Sequence, residues 1–273
     1  MKSRSVPLFA LTLIQAACTP APQPPGPPVT LQLLNVSDWH AELASLSIDS
    51  KDGGAAVLSA SFNKDRAENP NTLTLTADDA FGASPPLASF FDAVPALLAM
   101  NAMEFDADTL GNHNCDKGTA FLQGLIDQAN FPYLSANLSN LSGNLNTVAP
   151  DKTFEVGGVN VAVAVSGLTN PEAPTLVSPS AFGTLKIPDP VAAAVQVRID
   201  AQAQGAQTFV VLTRMGMEAK DAARTVSVSL IDLAQGLTGF DVILGDHTNV
   251  QSSGTIGGAL VLEHLSKGTL GSA

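Results

Sequence analysis

From residue 29 onward, short apolar runs alternate with longer helical segments, and this alternation is the strongest constraint on the fold. The apolar runs are predicted to be strands, at 29–36, 72–77, 105–110, 132–136, 159–165, 208–213, 240–244 and 259–265. The segments between them are predicted to be helical, at 54–69, 86–103 with a kink at Pro95, 119–130, 190–204 and most of 218–237. Strands that alternate with helices favour an α/β architecture.

Polar clusters follow five of these predicted strands. Their charged, imidazole and amide side chains are Asp38 and His40; Asp78 and Asp79; Asn112, His113 and Asp116; Arg214; and Asp246, His247 and Asn249. A single Asp-x-His is also typical of a turn in which the Asp caps backbone amides. Sites in α/β folds, however, form at the carboxyl ends of strands. Five clusters in register with five strand ends, holding three of the four histidines, therefore indicate a divalent metal site.

The charge balance narrows the classes of partner. The chain carries 25 acidic and 13 basic residues, a formal net charge of −12. Proteins hold phosphate backbones with patches of Lys and Arg, so a nucleic acid polymer is not expected as a partner. Hydrophobic residues make up 45% and charged residues 14%, which excludes a disordered or coiled-coil chain.

The N-terminal segment has the layout of an export signal. A short basic start precedes an apolar run at 6–14 that is too short to span a bilayer, and small residues lead directly into Cys18. We predict a lipoprotein-type signal at 1–18 with Cys18 lipidated as the mature N-terminus; the alternative is an ordinary signal cut near Ala17. Six prolines within 19–28 predict an extended tether. An exported, lipid-anchored domain facing the periplasm or cell exterior is expected, with contact to the membrane only through that lipid.

The order of the motifs resembles that of a known superfamily. Asp-x-His, then Asp-Asp, then Gly-Asn-His, then a Gly-x-His loop is similar to calcineurin-like metallophosphoesterases, and more closely to the catalytic domain of the 5'-nucleotidase / UDP-sugar hydrolase family. The supporting stretches are 33–40, 106–118, 134–137 and 240–247. The resemblance implies two mixed β-sheets flanked by helices, and hydrolysis of small phosphate esters such as nucleotides. It also implies one or two divalent ions of the Mn, Zn, Co, Fe or Mg type.

The same resemblance assigns roles to the strand-end residues. It implies that Asp38 and His40 bind a first ion and that Asn112 and His247 bind a second. Asp79 would bridge the two ions. It implies that His113 assists the leaving group or stabilises charge on the phosphate, and that Asp116 orients His113. Such a pair of metals would clamp a phosphate and activate a water for in-line attack.

Five positions depart from the family pattern. Arg214 stands where a Leu-Ser-His motif supplies a second-metal ligand, and Asn249 replaces the last histidine of Gly-His-x-His as a weak carbonyl ligand. Asn114 replaces a glutamate, and Asp78 and Asp246 replace glycines. Arginine keeps its proton at ordinary pH, so it offers no lone pair to a metal.

The departures leave two hypotheses. In the first, Arg214 pairs with Asp246 or Asp78 and takes over part of the missing charge, leaving one metal at Asp38, His40 and Asp79. In the second, the chain is a non-catalytic relative that binds a metal or an anion.

The length of the chain limits recognition of a nucleobase. In the nucleotidase family a separate C-terminal domain stacks on the base, whereas this chain ends 24 residues after Asn249. We therefore expect one domain at 29–273 without that partner, either a minimal form or one whose closing strands are incomplete. Cys115 is expected to be a small buried residue, and the Phe90-Phe91 pair is expected to face the helix core.

Overall fold

A computed structural model describes residues 29–45, 53–156, 161–217, 229–268 and 270–272 of the chain. The predicted signal at 1–18, Cys18 and the tether at 19–28 lie outside the described residues, as does the 218–228 part of one predicted helix. Among the helices that are described, none combines the length and the apolar character needed to cross a membrane.

Strands and helices alternate along the described chain. The N-terminal half contains β1 (Gln32–Val36), α1 (Gly54–Glu68), β2 (Thr72–Thr76), α2 (Pro86–Ser89), α3 (Val94–Ala102), β3 (Asp108–Thr109), α4 (Thr119–Ile126) and β4 (Tyr133–Leu134). The C-terminal half contains β5 (Asp151–Val156), β6 (Val161–Leu168), α5 (Pro190–Ala203), β7 (Thr208–Thr213), α6 (Leu230–Gly236), β8 (Val242–Gly245), β9 (Ser252–Ile256), β10 (Ala259–Glu263) and β11 (Leu270–Ser272).

These strands form two mixed sheets. In the first, β1 lies between β11, antiparallel to it, and β2, parallel to it. The parallel pair β3–β4 continues this sheet through a bridge between Leu75 and Ala107. The second sheet has the order β5-β6-β7-β8-β10-β9, with parallel pairing from β6 to β10 and an antiparallel strand at each edge. The predicted α/β class with two mixed sheets is confirmed.

Apolar side chains fill three layers between and outside the sheets. One buried cluster joins the facing sides of the sheets, with Leu75, Val165 and Leu212 among its members. Because successive side chains of a strand point to opposite faces, Leu33 joins this cluster while Leu34 packs outward against the first four helices. A third cluster packs α5 and α6 on the outer face of the second sheet. The result is a helix–sheet–sheet–helix sandwich.

The predicted helix at 86–103 is wrong in two respects. It is two helices, and residues between them adopt positive φ angles of 55° at Asp92 and 59° at Ala93. Pro95 lies in the first turn of α3, where its missing N–H costs no hydrogen bond, so it starts a helix rather than kinking one. Phe90 and Phe91 lie in the break and are 83% and 62% exposed, so the expectation that they face the helix core is also wrong.

Three strands have no counterpart in the predicted set. The side chains of β5 and β9 are largely half-buried or exposed, and both strands lie at edges of the second sheet. Edge strands with one solvated face need few apolar residues, so the hydrophobic pattern leaves little trace of them. β11 completes the first sheet beside β1. Cys115 is buried, as expected, and burial raises the pKa of its thiol to about 12.

Candidate metal centre

The loops after β1, β2 and β8 meet at the carboxyl ends of the strands. The backbone N–H of His40 donates to the carbonyl of Asp79 at 2.9 Å, which ties the first loop to the second. The N–H of His247 donates to a carboxylate oxygen of Asp38 at 3.0 Å, which ties the third loop to the first. The side chain of Ser37 donates to the carbonyl of Gly245 at 3.0 Å. The two sheets therefore present their polar loops to one another.

Asp38, His40 and Asp79 form a group that fits a cation. One ligand atom from each lies within 4.8 Å of the others. Nδ1 of His40 is 3.0 Å from the carbonyl oxygen of Gly82, which can only accept, so Nδ1 carries the hydrogen. Nε2 lies 3.4 Å from the carboxylate of Asp38; in the protonated ring it donates to that carboxylate, and in the neutral ring it offers its lone pair to a cation. An imidazole fixed from behind by a backbone carbonyl, with its other nitrogen turned toward carboxylates, is the arrangement found around protein metals.

The electrostatics of this group agree with its geometry. Burial by itself raises the pKa of Asp38, but the hydrogen bond from His40 and the charge of Arg214 hold that pKa well below its usual range. Burial lowers the pKa of His40, and the nearby carboxylates of Asp38 and Asp79 raise it by more. The carboxylate of Asp38 therefore stays ionised, as a ligand for a divalent ion must.

The residues expected at the second metal do not fit an ion, because the guanidinium of Arg214 lies among them. Arg214 is buried, and its Nε donates to Oδ1 of Asn112 at 3.2 Å. Its Nη2 makes a close ion pair with Asp79, and its Nη1 is 3.4 Å from Asp38. Nδ1 of His247, the other expected ligand, is buried without a hydrogen-bond partner. A fixed positive charge therefore contacts two of the residues that the resemblance assigns to the second metal.

Of the two acids expected to pair with Arg214, only Asp78 makes an ion pair with it in the described part of the chain. Oδ2 of Asp78 is 3.2 Å from Nε. Burial and the charges of Asp79 and Asp108 nevertheless raise the pKa of Asp78 well above its usual range, outweighing the guanidinium. Asp246 lies against Asp38 instead, and burial and that neighbouring charge raise its pKa as well. A protonated Asp246 can donate a hydrogen bond to Asp38.

His113 and Asp116 form the predicted dyad. Nδ1 of His113 is 2.9 Å from the carboxylate of Asp116, and its Nε2 is 3.9 Å from Oδ2 of Asp79. The hydrogen bond to Asp116 raises the pKa of His113. The rings of His113 and His40 meet edge to face, with centroids 5.5 Å apart. One imidazole is thus held beside the candidate metal ligands with a nitrogen free to contact a substrate.

His247 and Asn249 differ in whether their side chains are available to bind a metal. Burial and the charge of Arg214 lower the pKa of His247 to about 4, so its ring is neutral near pH 7 and keeps a lone pair. Oδ1 of Asn249 accepts the N–H of Ser266 at 2.8 Å, so the oxygen expected as a weak ligand is engaged by the backbone. Oδ1 of Asn114 accepts the N–H of Gly111 at 2.8 Å and supports the turn that carries the dyad.

Many of the candidate site residues have strained backbones. Positive φ angles occur at Asp38, His40, Asp78, Asp79, His247 and Asn249, with values from 45° to 103°. Non-glycine residues in this region cost of order 1–3 kcal/mol each and persist only where the surrounding structure over-determines them. These residues lie in the loops that follow the strands. Their unusual backbone angles direct the side chains toward the candidate site.

Two positioning residues carried no signal in the sequence. Glu263, at the end of β10, is fully buried and accepts the N–H groups of Met217 and Thr248 at 2.6 and 2.7 Å. It thereby joins the loops that follow β7 and β8. Gly82 has a φ of +90°, and a Cβ there would lie 2.5 Å from the Cβ of His113. Only glycine lets this loop hold His40 and pack against the dyad at once.

The chain is similar in sequence and in fold to proteins of known function. The chain is 29% identical over 270 residues to the trifunctional nucleotide phosphoesterase YfkN of Bacillus subtilis, and the match covers 88% of this chain and 18% of that protein. It is 30% identical over 236 residues to human 5'-nucleotidase, covering 80% of this chain and 38% of that protein. The crystal structure of YfkN superposes with a TM-score of 0.75 and 27% identity, over 90% of this chain and 84% of that one.

The homologues and structural neighbours of the chain are calcineurin-like phosphoesterases of the 5'-nucleotidase family. A 5'-nucleotidase precursor from Thermus thermophilus gives the same TM-score of 0.75 at 25% identity, covering 89% of this chain and 50% of that one. No family model matches the chain. The chain spans only 18% and 38% of the lengths of these two curated relatives. The relatives are phosphoesterases and nucleotidases by name, and calcineurin-like phosphoesterases use divalent metals.

Proposed function

We propose that the chain hydrolyses small phosphate esters, nucleotides among them, with a single divalent ion bound by Asp38, His40 and Asp79. The observation that carries this proposal is the guanidinium of Arg214, which contacts Asp79 and Asn112 where a second ion would need them. Arg214 supplies a permanent positive charge there, so the site keeps a cation at both positions. This supports a working one-metal centre in preference to a decayed one.

The residues divide the work of such a hydrolysis. Asp38, His40 and Asp79 would hold the divalent ion, which would supply Lewis acidity and would lower the pKa of a water. Arg214, with its guanidinium on two carboxylates, holds Asp79 and Asp38 in place and offers charge to a phosphate oxygen. His113, fixed through Nδ1 by Asp116, presents Nε2 for a proton or a hydrogen bond to the oxygen that leaves.

Hydrolysis and metal content test this proposal together. The purified protein is assayed with p-nitrophenyl phosphate, its bis ester and AMP after addition of Mn²⁺, Co²⁺ or Zn²⁺, and bound metal is measured by mass spectrometry after dialysis. We expect turnover that EDTA abolishes, with about one tightly bound ion per chain. The activity of an Asp79→Ala variant serves as the background, because Asp79 is both a candidate metal ligand and the close partner of Arg214.

Two results would contradict the proposal in different ways. Equal rates for the wild type and Asp79→Ala on every substrate would reject the hydrolase and favour the non-catalytic relative. Two tightly bound ions per chain in an active enzyme would reject the role given to Arg214 and leave the hydrolase intact.

We also propose that the protein is exported and anchored by a lipid on Cys18. The support is the sequence: a basic start, the short apolar run at 6–14 and small residues before Cys18, followed by the proline-rich tether. In a bacterial expression host, radiolabelled palmitate is expected to label the wild type and not Cys18→Ser. Labelling of both proteins, or secretion of an unlabelled wild type cut near Ala17, would reject the lipid anchor.

A further inference from the structure

An apolar cavity lies directly beside the catalytic dyad. Its inner space measures about 100 Å³ and opens to solvent, and its walls include Phe81, Ala83 and Phe121 together with His113 and Asp116. Ser89, which is exposed on α2, lies at its edge. An inner space of this size with mostly apolar walls takes one aromatic ring, with a second ring at its open mouth, and is too poor in polar groups for a second phosphate.

The cavity and the candidate metal site share the loop around Gly82. The carbonyl of Gly82 holds His40 at 3.0 Å, while Gly82 itself lines the cavity and packs on His113. Nε2 of His113 faces Asp79 across 3.9 Å, so the imidazole borders both the carboxylates and the cavity. A phosphate ester bound at the metal, with its leaving oxygen toward His113, would direct its organic part into this space.

The charges around the cavity favour a neutral group. Lys117, the one lysine of the lining among the described residues, is paired with Asp92 at 2.6 Å and lies 5.0 Å above the ring of Phe121. Its ammonium is therefore already compensated, and it covers an aromatic wall. Phe90 and Phe91 follow Ser89 in the chain and are strongly exposed, so aromatic surface continues from the edge of the cavity.

We propose that this cavity binds an aromatic leaving group of the phosphate ester and so gives this domain a preference for aryl esters over short alkyl esters. The preference for aryl esters rests on the proposed hydrolysis, whereas binding of an aromatic group rests on the cavity alone. Recognition comes from Phe81 and Phe121 in the walls, and from the position of His113 at the junction with the phosphate. Apolar contact with a ring supplies the affinity.

Filling the cavity tests the proposal. Ser89→Trp is compared with Ser253→Trp, which places the same side chain on the exposed face of β9, for 2-naphthyl phosphate and methyl phosphate in the presence of Mn²⁺. We expect Ser89→Trp to lower kcat/KM for the naphthyl ester by about tenfold or more, with methyl phosphate and the control changed less than about twofold. Phe121→Ala, which removes a wall, is expected to lower the naphthyl value in the same way.

The outcomes separate this inference from the proposed hydrolysis. Unchanged naphthyl-to-methyl ratios in both Ser89→Trp and Phe121→Ala, in an active enzyme, would overturn the cavity assignment and leave the hydrolase standing. Should the wild type hydrolyse nothing, calorimetric binding of 2-naphthyl phosphate decides the matter. Weaker binding by about tenfold in Ser89→Trp but not in Ser253→Trp supports the cavity, and equal binding overturns it.

Discussion

Replacement of Arg214 by methionine is expected to lower the free energy of unfolding of the metal-free protein by about 3–5 kcal/mol. Methionine keeps most of the volume but removes the cation that contacts Asp38, Asp78 and Asp79. Those carboxylates are almost fully buried, and removal of one partner from a buried charge cluster leaves the other charges uncompensated. Binding of a divalent ion to the variant should recover part of the loss, because the ion supplies positive charge to the same acids.

Urea denaturation with and without Mn²⁺ measures this effect, and Arg198→Met is the matched control. Arg198 lies on α5, where it bonds Gln202 and covers the ring of Phe209 on the outer face of the second sheet. Asp78→Gly in the Arg214→Met background should restore stability, since it removes both a buried acid and a side chain at a φ of 103°. A loss below about 1 kcal/mol in Arg214→Met, equal to that of the control, would show that the guanidinium does not balance the acids.

Conversion of Arg214 and Asn249 to histidine together is expected to raise the tightly bound metal from about one ion per chain to about two. The change removes the charge that repels a second ion and supplies a neutral nitrogen close to Asn112 and Asp79. Nδ1 of His247 is already buried without a hydrogen-bond partner, and the ring is neutral near pH 7. His247 is therefore available as a further ligand. Hydrolysis should rise with the second ion.

Metal content after dialysis, measured by mass spectrometry, reports the result. The single variant Asn249→His is the control and should keep about one ion, because Arg214 still contacts the second position. A double variant that folds, as judged by circular dichroism, and still holds one ion would mean that the histidines do not rebuild a metal site. The charge of Arg214 would then not be the reason why the wild type binds a single ion.

The alternation of strands and helices predicted the architecture, because apolar periodicity records which faces are buried. It failed where burial is incomplete. The edge strand β5 has few buried residues, and the sequence predicts a single helix at 86–103 because the apolar run continues through Phe90 and Phe91. Exposed aromatic residues in a break between helices look identical, in sequence, to buried ones within a helix.

Parallel strands carry their carboxyl ends at the same edge of a sheet, and this predicts that the polar clusters lie near one another. In the structure β1 pairs with β2, and β7 with β8, in parallel. The sequence could not reveal that Arg214 would contact three acids at once, because that depends on the depth at which its side chain is buried. Nor could the sequence assign a role to Glu263, which accepts two backbone N–H groups from residues distant in the chain. Such long-range hydrogen bonds leave no motif in the sequence.

The position of β1 between β2 and β11 has a consequence for the timing of assembly. Contacts that close the candidate site join residues 208 and 209 positions apart, from Ser37 to Gly245 and from His247 to Asp38. During synthesis from the N-terminus, the first acids emerge long before the arginine that balances them. Contacts so distant in sequence form slowly, so the candidate site closes only after most of the chain has been synthesised. If the chain is exported as proposed, such late closure is an advantage, because a polypeptide is threaded through a membrane more readily before it folds.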